Sequence, residues 1–293
     1  MSIVYRKANY ESADELIHIG ALYKKIFQAD MRDSLAYWYG DNPAGSPYGI
    51  VAMDGDRMAG HFGTMSVCAL VGGRTKKGRI SMGFMVDDDY RGQGVAGKLS
   101  EALFSELRII GEDAFVIGFP NDVSYKMHVE RMGYELIRHY RFADFPGGSA
   151  KGGFKKLSAG EFAALRTKGD SPLRPHILHG AEFLKWRYSG VKYDKYLSDK
   201  RDLFISTRFR DKADILYWTE SAQAADVLDF AAFLHGQDGT ERVCSWNTYG
   251  WLDEYPQEDR RYHMTMNILT DDPAERSALK GDWVFYMGDC ELF

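Results

Sequence analysis

The residues best suited by type and spacing to do chemistry lie between Ile80 and Leu99. An apolar run, Ile80–Val86, leads into the acidic turn Asp87-Asp-Asp89 and then into Arg91-Gly-Gln-Gly-Val-Ala96. From Gly94 onward, Val95, Leu99, Leu103, Leu107 and Ile110 recur at helical spacing on one face. Gly92 and Gly94 admit backbone conformations closed to other residues and let the chain approach a ligand closely. A helix start offers unpaired amides and the positive end of a dipole, so strand, glycine loop and helix together form a phosphate site. No GxxxxGK[ST] loop is present, and although Gly92, Gly94 and Gly97 have GxGxxG spacing, the strand before them comes late in the domain, which sets aside the P-loop and dinucleotide-fold versions of that site.

Such a loop needs a sheet to hold it. The first half predicts the order βααββ(β)αβαβ, a mixed α/β layer. Ser2–Lys7 reads as a strand. Ser12 and Glu15 form a capping-box pattern ahead of a helix carrying Leu16, Ile19, Tyr23 and Ile26. A short helix at Asp33–Trp38 and strands at Tyr48–Met53, Met58–Val71 and Arg79–Val86 precede the loop. The helix from Gly94 is followed by a strand at Ala114–Phe119, a helix at Asp122–Met132 and a strand at Glu135–Ala143. Phe145-Pro-Gly-Gly-Ser-Ala-Lys-Gly-Gly153 cannot hold a regular element and reads as a linker. The expected domains are therefore 1–145 and 154–293, joined by 146–153. The second is again α/β, with a helix at Ala224–Leu234 and strands at Arg242–Trp246, Tyr262–Ile268 and Trp283–Met287.

Composition narrows the class. The chain has 293 residues, 45% hydrophobic and 27% charged, an ordinary globular balance able to build a sizeable core. A net charge of −5 argues against a dedicated nucleic-acid binder. No apolar run is long enough to span a membrane, and the N-terminal residues lack a signal-peptide pattern. Cys68, Cys244 and Cys290 are too scattered for a metal pair or a disulfide framework, so a reduced, cytoplasmic protein without a metal is expected. The aromatic fraction is 14%, and of the tryptophans only Trp38 precedes the linker. The second half is thus the half rich in flat ring faces.

Arg91-Gly-Gln-Gly-Val-Ala96 resembles the (R/Q)xxGx(G/A) signature of the GNAT superfamily of acyl-CoA N-acyltransferases. Gly118-Phe-Pro-Asn121, Ser124 and Gly133-Tyr134 resemble that family's next strand–helix unit, so the likeness covers roughly 1–145. It implies a GNAT-like first domain and acyl-CoA, acetyl or another short acyl, as co-substrate. The loop residues Arg91, Gly92, Gln93, Gly94, Val95, Ala96 and Gly97 would hold the pyrophosphate. Phe84, Met85 and Val86 would line the pantetheine arm, with Asn121 and Ser124 beside it. The general acid of many family members falls at Val129 here, which leaves Tyr125 and His128 as the nearby candidates. A CoA thiol ionises near pH 8.5, so its thiolate leaves tolerably without an acid. An attacking amine needs a base, for which His61 and the Asp87–Asp89 run are candidates. Backbone amides near Phe84–Met85 can polarise the thioester carbonyl.

The second half contains no comparable loop. Its architecture, with Phe183–Tyr188 and Trp283–Glu291, resembles the C-terminal half of tandem GNAT proteins, including enzymes that acylate nucleotide-linked amino sugars. That resemblance implies a second, degenerate GNAT-like domain completing an acceptor cleft. Trp186, Arg187, Tyr188, Trp246 and Asn247 are its candidate residues, since rings stack on aromatic faces and Arg grips a diphosphate bidentately. The expected function is N-acyl transfer to a small-molecule primary amine, of the dTDP-3-amino-3,6-dideoxyhexose type. The alternatives are an amino acid, peptide or polyamine-like acceptor, or a non-catalytic acyl-CoA sensor.

Overall fold

The computed structural model describes residues 3–28, 32–165, 174–246 and 248–290. Its elements run β1 (Val4–Lys7), α1 (Ala13–Phe27), α2 (Arg32–Tyr39), β2 (Tyr48–Asp54), β3 (Arg57–Val71), β4 (Arg74–Val86), α3 (Val95–Ile110) and β5 (Phe115–Gly118). There follow α4 (Asp122–Arg131), β6 (Glu135–Tyr140), β7 (Phe142–Asp144), β8 (Phe154–Lys156), α5 (Ala159–Ala163), β9 (His176–Ile177) and α6 (Ala181–Arg187). The chain continues with β10 (Tyr193–Ser198), β11 (Leu203–Phe209), β12 (Lys212–Trp218), α7 (Ala224–His235), β13 (Arg242–Trp246), β14 (Tyr262–Ile268) and α8 (Pro273–Leu279). The order expected for the first half, β1 through β6, is the order found.

Two compact units form. One comprises Met1–Arg138 with His263–Gly281, the other His139–Tyr262 with Asp282–Phe293. The strand expected at Glu135–Ala143 is broken into β6 and β7, which belong to different sheets. Likewise β14 and α8, although late in the chain, join the first unit. The expected linker, 146–153, holds no regular element but lies within the second unit. The physical reason is the sheet edge: β5 is only four residues long and needs a second neighbour, which β14 supplies by antiparallel pairing over Phe115–Gly118.

In the first unit the strand order is β1-β2-β3-β4-β5-β14-β6. The β1–β4 stretch is antiparallel, with β3 and β4 joined through the glycine turn Gly72-Gly73. β4 and β5 are parallel, so α3 is the crossover between them. Val95, Leu99, Leu103 and Leu107 of α3 are buried against Tyr48, Ile50, Ala59, Phe62 and Val116 of the sheet. Ile110, expected on the same face, is 44% exposed, because it is the last residue of the helix. At α1, Ser12 caps the helix by accepting from the Glu15 amide. Only half of the expected capping box forms, since the Glu15 carboxylate pairs with Arg6 and accepts from the Asn9 amide instead.

The second unit carries a six-stranded sheet, β7-β13-β12-β11-β10-β8, antiparallel except for the β12–β13 pair. Phe204 and Phe230, with Tyr196 and Phe154 around them, pack α7 onto this sheet. The strand expected at Trp283–Met287 is a single bridge at Val284 followed by a short 3-10 turn, Met287–Asp289.

Candidate active site

The geometry centres on the place where β4 and β5 part. They pair only at Arg79 with Val116 and Ile80 with Ile117. β5 then ends at Gly118, while β4 runs on to Val86. Within that free-running stretch β4 is bulged. Met82 faces Gly63 and Met85 faces His61, so Gly83 and Phe84 together oppose Phe62. Gly83 has φ +52°, the left-handed conformation that the first residue of such a bulge requires and that glycine adopts without strain. The bulge takes Gly83 and Phe84 out of the regular ladder and re-aims their backbone groups. Met85 is buried, and Phe84 packs against Phe62 with ring centroids 4.6 Å apart. Their side chains build the core.

Beyond Val86, the three acidic residues separate in role. Asp87 caps the 3-10 turn Asp88–Tyr90 and accepts from the Asp89 amide. Its buried carboxylate binds Lys25 Nζ at 2.7 Å and Arg57 Nη2 at 2.9 Å. Burial opposes ionisation there, but Lys25, the Asp89 amide and Arg57 together lower its pKa to about 2. Such a carboxylate is no base at neutral pH; it is the anchor that ends β4. Asp88 holds Arg91 through a 2.7 Å ion pair, and Gln93 Nε2 bonds the Asp89 carbonyl at 2.9 Å.

The Arg91 and Gln93 side chains are thus turned back on the loop. Gly92 and Gly94 have φ of +76° and +80°. Gly94 is the N-cap of α3, with no side chain accepting from the first-turn amides and no acidic residue in that turn. A Cβ built on Gly92, Gly94 or Gly97 would meet nothing within 4 Å. The first turn is therefore an open, donor-lined cradle of the kind a diphosphate fits.

The histidines and tyrosines are placed as follows. His61 on β3 is fully buried. Its Nδ1 lies 2.9 Å from the Gly83 carbonyl and its Nε2 2.9 Å from the Tyr10 hydroxyl. Burial lowers its pKa to about 4, so the ring is neutral at pH 7. A carbonyl only accepts, so Nδ1 carries the proton and Nε2 receives the Tyr10 hydroxyl. Expected as a base, His61 instead has both nitrogens engaged inside the fold.

His128 on α4 is also buried, and burial lowers its pKa to about 4. Its Nδ1 is 3.1 Å from Thr265 Oγ1, which donates to the Gly118 carbonyl at 3.2 Å. The Thr265 proton being used there, Nδ1–H donates and Nε2 is the lone-pair atom. A Cβ on Gly118 would lie 2.8 Å from the His128 ring and 3.2 Å from Ser81 Oγ. His128 is thus the polar group that α4 presents to the ends of the β4–β5 pair. The helix widens at its last turn, where the Met132 amide reaches the Met127 carbonyl, five residues back. That extra residue is why counting back from Gly133 lands on Val129 although His128 is the residue turned inward.

Tyr125 stacks on His263 of β14 at 4.2 Å, and His263 Nε2 lies 2.8 Å from Asp122 Oδ1. Asn121 caps α4 by accepting from the Val123 and Ser124 amides, and the Ser124 hydroxyl bonds Asn121 Oδ1. Tyr10, Tyr39, His263 and Thr265 escaped sequence reasoning. Nothing in the periodicity of α2 or β14 singles them out, and a division at the glycine-rich linker places β14 in the other half.

The residues expected to face an acceptor from the second half do not form a binding wall. Trp186, Tyr188 and Trp246 are buried. Arg187 is 3% exposed; it donates to the Gly288 carbonyl at 3.1 Å, the Tyr193 hydroxyl at 2.8 Å and the Cys290 carbonyl at 2.9 Å. It is a clip on the last turn of the unit rather than a diphosphate ligand. Asn247 lies outside the described residues. Trp218 and Trp283 are buried as well, so the tryptophan surplus of this half is chiefly core. Among the described residues no group of His, Cys, Asp and Glu could hold a metal ion, and no helix is long and apolar enough to cross a membrane.

An open cleft of about 440 Å³ at the opposite end of β4 is lined by Lys76, Lys77, Arg108, Glu112, Asp113 and Glu275. Its lysines are ion-paired to Glu275 and Glu112, so it presents no surplus of one charge.

Residues 5–137 match the family model of an acetyltransferase (GNAT) domain. No curated protein matches the chain. A solved structure of a conserved protein of unknown function from Enterococcus faecalis V583, described as a probable N-acyltransferase, is similar. It is 12% identical with a TM-score of 0.65, over 92% of this chain and 73% of that one. A GCN5-related N-acetyltransferase from Anabaena variabilis is 16% identical with a TM-score of 0.64, over 92% and 73%. The N-myristoyltransferase of Saccharomyces cerevisiae, solved with bound myristoyl-CoA, is 10% identical with a TM-score of 0.61, over 91% and 79%. At these identities the structures carry the fold: mixed α/β and GNAT-like, with the likeness running through both halves. The family-model match speaks to the class: residues 5–137 are similar to an acetyltransferase (GNAT) domain, which supports an enzyme of the N-acyltransferase type.

Proposed function

We propose that this protein transfers an acyl group from acyl-CoA to a primary amine by direct attack of the amine on the thioester. The observation that supports this most is the pairing of two features on one strand. The open, uncapped first turn of α3 would take the pyrophosphate on the amides of Val95, Ala96 and Gly97. The Gly83–Phe84 bulge lies upstream, where β4 has left β5. The arm of CoA would run from the first feature past the second, and re-aimed backbone amides at the bulge would polarise the thioester carbonyl. No cysteine is needed as a nucleophile, and Cys244 is unsuited to the role because burial keeps its thiol protonated.

In this reading His128 holds the proton position nearest the reacting atoms. Its Nε2 lone pair would accept from the amine or from an intervening water, with Thr265 fixing the ring. Tyr125 would line the same opening. The domain roles are proposed along with the site: the first unit does the chemistry, and the second contributes to holding the acceptor. A nucleotide-linked amino sugar is carried forward as one acceptor class. Its support has narrowed, since the aromatic and Arg residues first linked to it are buried.

The test is a titration of the intact chain with CoA, acetyl-CoA and longer acyl-CoAs, followed by thiol release. The amine panel holds a nucleotide-linked amino sugar, an amino acid, a peptide amine and a polyamine. Saturable acyl-CoA binding with thiol release dependent on one amine class supports the reading. Absence of CoA binding overturns it. Tight binding with no amine-dependent release would make the protein an acyl-CoA sensor.

A further inference from the structure

A polar chain runs beneath the bulge. Tyr39, at the end of α2, bonds the hydroxyl of Tyr10, and the two rings stack at 4.1 Å. The Tyr10 hydroxyl lies 2.9 Å from His61 Nε2, and His61 Nδ1 lies 2.9 Å from the Gly83 carbonyl. The donors are ordered one way, from Tyr39 through Tyr10 to His61 and on to the carbonyl of the bulge's left-handed residue.

Three adjoining strands give up side chains to house it. A Cβ on Gly49 of β2 would collide with the Tyr10 hydroxyl. One on Gly63 of β3 would stand 2.6 Å from the Tyr39 hydroxyl and 2.8 Å from both the His61 ring and the Tyr10 hydroxyl. One on Gly83 of β4 would stand 3.2 Å from the Tyr39 hydroxyl. Glycine weakens a strand interior and commonly marks a close approach, and at each of these positions the nearest atom belongs to this cluster. A buried polar chain with every link made is rigid, and the cost of breaking one link is high.

We propose that Tyr39, Tyr10 and His61 are positioning residues. They hold the Gly83–Phe84 bulge from behind, so that its backbone meets the acyl group in a fixed orientation, and through Tyr39 they tie that orientation to α2. His61 acts through the Gly83 carbonyl and does not touch substrate. The inference rests on the reading of the bulge given above, so its test separates the two.

Tyr10→Phe keeps the ring stack and removes one hydroxyl. In protein labelled with 15N, the Gly83, Phe84 and Met85 amide resonances should move in this variant, and the His61 Nε2 resonance should report loss of its donor. These readouts need no turnover. In thiol release, Tyr10→Phe should lower kcat about tenfold and leave KM for acyl-CoA within about twofold. The pH profile should keep its shape. His61→Gln, whose amide can still donate to Gly83, should retain more kcat than His61→Leu. Unmoved Gly83–Met85 amides would overturn the inference whether or not the wild type turns over. So would an unchanged kcat, or loss of a pH limb in His61→Gln, which would make His61 the base. If the wild type binds acyl-CoA yet releases no thiol with any amine, the acyltransferase reading fails, and the amide resonances alone decide whether the chain holds the bulge.

Discussion

Arg91 and Arg187 sit in stretches that look equally suited to gripping a phosphate, one among glycines and the other among aromatics, and folding sends them to opposite fates. Arg91 is exposed and paired with Asp88, at the edge of a helix start whose glycines border open space. Arg187 is buried, with its guanidinium satisfied by two carbonyls and a tyrosine hydroxyl of its own unit. An arginine can hold a ligand only with donors the fold has not already used. The same residue type is therefore solvent-facing in the first unit and structural in the second.

The sharpest way to break that contrast is to truncate both. Arg187→Ala should destabilise the protein by about 3–5 kcal/mol, since buried acceptors lose their donor and a cavity opens. Denaturant unfolding measures it. Arg91→Ala should leave the unfolding midpoint within error and weaken CoA binding severalfold by calorimetry. If the two variants exchange these phenotypes, the assignment of the loop and of the clip both fail.

The next effect is on pH. His61 and His128 have folded pKa values near 4 against about 6.5 in the unfolded chain, so the unfolded state binds more protons between those values. Stability should be full above pH 6.5 and fall as pH drops through the window to 4. The loss is on the order of 3 kcal/mol for each fully buried ring. Asp87, depressed to about 2, adds a separate loss only below pH 3.8. Unfolding midpoints of the wild type and of His128→Gln between pH 4 and 7 check this: the variant should show a shallower slope.

The smallest effect is the most discriminating. Gly97 lies in the first turn of α3, with ordinary helical backbone and open space where a Cβ would go. Gly97→Ala should raise stability by about 0.5–1 kcal/mol, as alanine does in a helix. It should at the same time weaken CoA binding about tenfold, because the methyl projects into the cradle. A stabilised variant with unchanged CoA affinity would move the anion site elsewhere.

Much of the first unit was legible from residues 2–140, because the strand-like apolar runs, the α3 face and the Ser12 cap are local signals that tertiary contacts reinforce. The loop was legible for the same reason: two glycines before an amphipathic helix describe their own backbone. The bulge was not, since Gly83 reads as an ordinary strand glycine until its register against His61 is known. The place of β14 was equally hidden, because strand pairing across more than a hundred residues of intervening chain leaves no periodicity to read.

The sequence by itself therefore determined the kind of protein: an α/β chain with a phosphate-ready helix start and no apolar span for a membrane. Only the tertiary structure decided which polar side chains remain available. Burial and hydrogen-bond saturation depend on neighbours distant in sequence. Those neighbours engaged both ring nitrogens of His61, brought His128 to the end of the β4–β5 pair, and closed Arg187 and its tryptophans into a core.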